Sequence, residues 1–121
     1  MKAAQLIKLY LCIAVFSSLS AQTSCEALAD YVKSEGYGST YYSYSSSAVS
    51  QVTFYEITDS NYKTHYFAMV RFKSAYNDYL YQVGSNTKFN YSMAYMDSAG
   101  KAFWNYIEPY SDVLGCAPDL D

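Results

Sequence analysis

Few residues in this chain have the type and spacing to do chemistry. His65 is the single histidine. A general base needs a nucleophile and an orienting group placed around it. His65 instead lies in the polar run Tyr62-Lys63-Thr64-His65 beside a turn signal, and reads as an exposed strand-end residue. The serines have no positional relation to it, so no Ser/His/Asp set is legible. Metal binding calls for clustered His, Cys or carboxylate. The acids are scattered, apart from Asp119 and Asp121 near the last residue. Gly36-Tyr37-Gly38 is too short for a phosphate loop and follows a predicted helix rather than opening one. Asn90-Tyr91-Ser92 matches a glycosylation acceptor but falls on a predicted helix. On this reading the chain has no catalytic residue, no metal and no cofactor.

Cys25 and Cys116 carry the one covalent chemistry that the spacing supports. There is no CxxC pair and no histidine near either residue, so redox catalysis and zinc binding are disfavoured. What comes before them decides the reading. Lys2 and Lys8 precede the apolar run Leu9-Tyr10-Leu11-Cys12-Ile13-Ala14-Val15-Phe16, and Ser17, Ser18, Ser20 and Ala21 follow it. This is the pattern of a secretory signal peptide over residues 1–21. The apolar run is short of the roughly 20 residues a membrane span needs. Cys12 leaves with the signal. In an oxidising compartment Cys25 and Cys116 are then each other's only partner, and a disulfide is expected.

Loss of the signal removes Lys2 and Lys8 but no acid, leaving six cations against eleven acids, a balance of −5. An acidic surface repels phosphate backbones and anionic lipid. About 100 residues remain, enough for one small domain with one core. The expected location is exported, periplasmic or extracellular, with no membrane span after cleavage.

Tyrosine is the other anomaly: sixteen occur, and only Tyr10 lies in the signal. The ring packs while the hydroxyl wants a polar partner, so Tyr suits half-buried sheet positions and wet interfaces. The Tyr/Ser-rich stretch 37–47 reads either as an edge strand or as an adaptable recognition loop. Tyr41, Tyr42 and Tyr44 in it, together with Trp104, form a candidate ligand platform.

The elements that must position these residues follow from periodicity. Thr23-x-x-Glu26 fits a capping box opening a helix over 24–35, with Cys25, Leu28 and Val32 on its buried face. Residues 49–58 read as a strand, 59–61 as a turn, 65–74 as a second strand and 79–83 as a third. Tyr66, Ala68, Val70 and Phe72 should face the core, with His65, Arg71 and Lys73 opposite. Tyr79, Tyr81 and Val83 continue the core face. Phe89, Met93 and Met96 mark the apolar stripe of a helix over 86–97. Phe103, Tyr106, Ile107 and Tyr110 mark another, ended or kinked by Pro109. Trp104 lies roughly 100° around from that stripe. The tail from 111 to 121 reads as irregular and pinned by Cys116. The expected fold class is α+β: an antiparallel meander of three or four strands, an N-terminal helix, and one or two C-terminal helices packed on one face.

Residues 46–110 resemble the KTSC domain, a small module named for the C-terminus of some lysyl-tRNA synthetases. The likeness rests on Val70-Arg71-Phe72-Lys73-Ser74, on Tyr79-Leu80-Tyr81, and on Ser98-Ala99-Gly100 with Phe103 and Ile107. It implies that Tyr79, Tyr81, Gly100, Phe103 and Ile107 are motif residues serving the core. This sequence departs from the family at Trp104, where an Asn is usual, and at Glu108, where a basic residue is usual. It also has one extra residue between Phe72 and Tyr79. Residues 22–45 would then be an added helix and Tyr/Ser segment.

Two function classes fit these features. One is an exported, non-catalytic binding module whose partner is a saccharide, a peptide or an envelope protein. The other is a single-stranded nucleic-acid (RNA) binder, the role conjectured for the family. A small hydrolase is disfavoured by the missing constellation. Nucleic acid would require Lys33, Lys63, Arg71, Lys73, Lys88 and Lys101 to converge.

Overall fold

The computed structural model describes residues 18–45, 48–74, 77–118 and 120. The bulk of the expected signal, 1–17, lies outside them. The chain runs α1 (Ser18–Glu35), β1 (Tyr37–Tyr42), β2 (Val49–Thr58), β3 (Thr64–Phe72), β4 (Asp78–Val83), α2 (Thr87–Ala94), α3 (Ala99–Tyr106), a 3₁₀ turn (Glu108–Tyr110) and α4 (Ser111–Leu114). The fold is α+β, with the four strands in an antiparallel meander of order β1-β2-β3-β4. Val, Ile, Thr, Phe and Tyr dominate β2 and β3, the composition that suits a pleated surface buried on one or both sides.

Both faces of the sheet are buried, against different helices. On one face Val52, Phe54, Ala68, Val70, Phe72, Tyr81 and Val83 meet Tyr91 of α2, Ala99, Ala102 and Phe103 of α3, and Ile107. A register shift between Val49 and Gln51 brings Val49 onto this face beside Val52, as a bulge does. On the other face Phe67, Met69 and Leu80 pack against Val32 of α1, with Leu28, Ala29 and Leu114 around them. Each fully buried Val, Ile or Phe contributes about 1.5–3 kcal/mol, so both layers matter. The C-terminal helices cover one face as expected; α1 covers the opposite one, so the side of β3 that carries His65 and Arg71 is a second packed surface.

Three local expectations are corrected. The helix begins at Ser18, so Thr23 is interior rather than its cap; the preceding residues continue the backbone, and their carbonyls serve the amides that a cap would otherwise satisfy. The stripe of Phe89, Met93 and Met96 faces solvent, and α2 buries Thr87 and Tyr91 instead. The tyrosine outweighs the stripe because it reaches Tyr41 and Phe54 on the sheet. The tail is not wholly irregular: after the Pro109 turn it forms α4, and Gly115 caps it at φ 70°, a conformation glycine adopts without a Cβ clash.

Candidate functional site

The end of β1 builds the first candidate site. Tyr41 and Tyr42 are neighbours on a strand, so their side chains take opposite faces. Tyr41 turns inward, edge-on to Phe54, Tyr91 and Tyr95 at centroid distances of 5.8, 6.2 and 5.1 Å. It is a packing residue at the rim of the core and not part of an open platform. Tyr42 and Tyr44 turn outward, 52% and 85% exposed. Their rings stack, with centroids 6.0 Å apart and planes 9° from parallel. Lys73 Nζ donates to the Tyr44 carbonyl at 3.2 Å, and the Ser43 amide donates to the Ser50 carbonyl, so the backbone beneath the pair is tied to β2 and to the end of β3.

These rings border a cleft of about 450 Å³ whose far wall is Tyr95, Met96, Asp97, Ser98 and Gly100. Ser98 caps α3, its Oγ accepting from the Lys101 amide. Ser43 also lines the cleft, and its hydroxyl is buried without a well-formed hydrogen bond, as is the hydroxyl of Tyr91 in the core. The two are close enough to interact: burial pushes the Tyr91 phenol up to about 12, and Ser43 offsets part of that rise. Gly100 stands in the first turn of α3, outside the core. A Cβ there would meet only Ala48 at ordinary contact distance.

Trp104 lies elsewhere. It is 48% exposed, edge-on to Phe103 at 5.8 Å. It lines a separate cleft of about 310 Å³ with Tyr81, Glu108, Ser111, Asp112 and Gly115. The four expected platform residues are therefore divided among two clefts and the core. Of the motif residues, Tyr81, Phe103 and Ile107 are fully buried and Tyr79 is half-buried against Phe72. Desolvation, followed by the nearby charge of Glu108, pushes the Tyr81 phenol far above its ordinary value.

His65 is engaged in the β2–β3 turn. Its Nε2 lies 3.0 Å from Asp59 Oδ2, and the Gln82 amide approaches Nδ1 at 3.4 Å. Asp59 also accepts from the Asn61 and Lys63 amides. The His65 hydrogen bond, with the Lys63 amide next, holds its carboxyl below the usual range. The cations are largely engaged too. Arg71 grips Asp78 with two hydrogen bonds at 2.7 and 3.2 Å, and Lys33 reaches the same carboxylate at 3.3 Å. Lys88 donates to Ser39. Burial alone would raise Asp78, but the hydrogen bonds and charges of Arg71 and Lys33 outweigh it and leave the group below its ordinary value.

Cys25 and Cys116 are bonded, with Cα atoms 5.7 Å apart and a sequence separation of 91. Among the described residues no three His, Cys, Asp or Glu gather as a metal site, and no helix is long and apolar enough to cross a membrane. The sequence pointed to Tyr42, Tyr44 and Trp104 as ligand-facing residues, and marked Ser98 and Glu108 only against the family pattern; Asp97 and Asp112 carry no local pattern and line the clefts only through tertiary packing. No protein-family model, curated protein or solved structure matches the chain.

Proposed function

We propose that this protein is an exported, non-catalytic binding module that takes a saccharide in the Tyr42–Tyr44 cleft. The observation that carries this reading is the stacked, solvent-facing tyrosine pair on a backbone tied to the sheet. Aromatic faces offer large contact area at low side-chain entropy cost, and a sugar ring has an apolar face to lay against them. Asp97 and Ser98 across the cleft supply acceptors and a hydroxyl for sugar hydroxyls. Export is supported by the N-terminal pattern and by the Cys25–Cys116 bond. A non-catalytic role is supported by the engagement of His65 with Asp59 and Gln82.

The likeness to the KTSC domain stays within this proposal: a divergent member of that family with an added N-terminal helix. The core positions of Tyr81, Phe103 and Ile107 support it. The nucleic-acid reading fares worse, because Lys33 and Arg71 both pair with Asp78, and an aromatic face with few cations around it stacks bases weakly at physiological salt.

A glycan array probed with the purified protein, beside the double variant Tyr42→Ala/Tyr44→Ala, tests the reading. Both side chains are surface groups, so the variant should fold. Saccharide capture by the parent and its loss in the variant are expected. Equal capture by both proteins, or capture of peptides or single strands instead of glycans, would refute it.

A further inference from the structure

The Trp104 cleft brings two carboxylates and an indole to one buried hydroxyl. Tyr81 is 1% exposed, yet its hydroxyl has no hydrogen-bond partner. Buried polar groups in folded proteins are nearly always paired, and an exception calls for a cause. Tyr81 lines this cleft, and so do Glu108, which lies within electrostatic reach of it, and Asp112. Ser111 Oγ lies 3.5 Å from Glu108 Oε2. Two of the lining residues are acids and none is a cation. The indole of Trp104 stands beside them, half open to solvent. The wall is fixed rather than loose: Gly115 turns the chain into Cys116, which the disulfide anchors to α1.

An unpaired hydroxyl oxygen, two carboxylates and an indole face are all features that favour a positive charge carrying N–H donors. Carboxylates accept charge-assisted hydrogen bonds, the indole face attracts a cation through its quadrupole, and a phenol oxygen can accept the third N–H of an ammonium group. We propose that this cleft binds a small primary-ammonium compound, with Glu108 and Asp112 as its charge partners, Tyr81 as an acceptor and Trp104 against its methylene groups. The same ammonium could come from a free diamine or from a lysine side chain of a peptide.

Trp104 is the sole tryptophan of the chain, so its emission reports on this cleft alone. The purified protein is titrated at constant ionic strength with putrescine, with Nα-acetyl-lysinamide, and with two controls: 1,4-butanediol, which is neutral, and tetramethylammonium, which lacks N–H. A saturable emission change with putrescine, and not with the controls, is expected. Response to the lysine derivative as well would extend the site to lysine side chains; its absence would confine the site to free diamines. Glu108→Gln should weaken putrescine binding about tenfold, the scale of one lost charge-assisted hydrogen bond, and Tyr81→Phe should weaken it by less with the unfolding midpoint kept. Equal response to butanediol, no saturable response to any amine, or unchanged affinity in Glu108→Gln would overturn the proposal. Because the tyrosine cleft is untouched by these variants, failure here leaves the saccharide reading to its own test.

Discussion

Cys116 meets Cys25 on the side of the sheet away from α2 and α3, although Cys116 follows directly from the C-terminal helices. The chain gets there by wrapping the β4 edge: Leu114 packs into the α1-side core and Ala117 against the other one. The same wrap covers an edge strand that would otherwise offer unpaired backbone groups. Intact mass of alkylated, unreduced protein should show no modified thiol at these positions. Cys25→Ser/Cys116→Ser should lower stability by up to about 4–5 kcal/mol, the chain-entropy limit for a loop of this length, read as a lower urea midpoint. Two alkylatable thiols in exported protein would contradict the bond.

Tyr81 separates packing from hydrogen bonding. Its ring meets Phe103 edge-on at 5.7 Å, while its hydroxyl is unpaired. Tyr81→Ala should cost about 3–5 kcal/mol through lost contacts and the cavity left behind. Tyr81→Phe should cost nothing or stabilise slightly, since it removes a buried group that makes no bond. Urea unfolding of the two variants side by side is the measurement. A loss above about 1 kcal/mol for the phenylalanine variant would mean that the hydroxyl does have a partner.

Helix α2 gives a contrast within one turn. Tyr91 is buried and stacks on Tyr95 at 5.6 Å, whereas Met93 is exposed. Met93→Glu should shift stability by no more than about 0.5 kcal/mol, and Tyr91→Ala should cost about 3–5 kcal/mol. Thermal melts of both variants decide it. A severe loss from Met93→Glu would mean that the exposed stripe is covered in solution.

Acid stability should depend on Asp78. Its pKa is lowered in the folded state, so its contribution is fully present above the ordinary carboxylate value of 3.8 and is lost as pH falls through the lowered one. Asp78→Asn should cost about 1.5–3 kcal/mol at neutral pH, the range for hydrogen bonds to a charged group, and its stability should fall less steeply than the parent's on acidification. Urea midpoints from about pH 6 to about pH 2 give the slope; parallel curves for parent and variant would show that the Arg71–Asp78–Lys33 cluster is not what acid breaks.

Residue patterns by themselves determined a good deal. The alternation within the strand expected over 65–74 put Ala68, Val70 and Phe72 on a core face, and that face is where they lie, although the strand itself ends at Phe72. The cysteine pairing was legible too: with Cys12 expected to leave with the signal, Cys25 and Cys116 have only each other. Trp104, placed off the Phe103/Ile107 stripe by helical geometry, is half exposed. Other features were decided only by tertiary structure. Phe89, Met93 and Met96 form as good an apolar stripe as any, yet α2 rolls so that Tyr91 can reach Tyr41 and Phe54. One-dimensional periodicity records which residues share a face but not which face finds a partner. For the same reason β3 reads as one-sided, with the polar side chains of His65 and Arg71 opposite the core, while Phe67 and Met69 between them are covered by α1. The divided platform has the same origin: Tyr41 and Tyr42 are adjacent in sequence, but the pleat sends one into the core and the other to solvent, and Trp104 belongs to a cleft that exists only because the tail is folded back to Cys25.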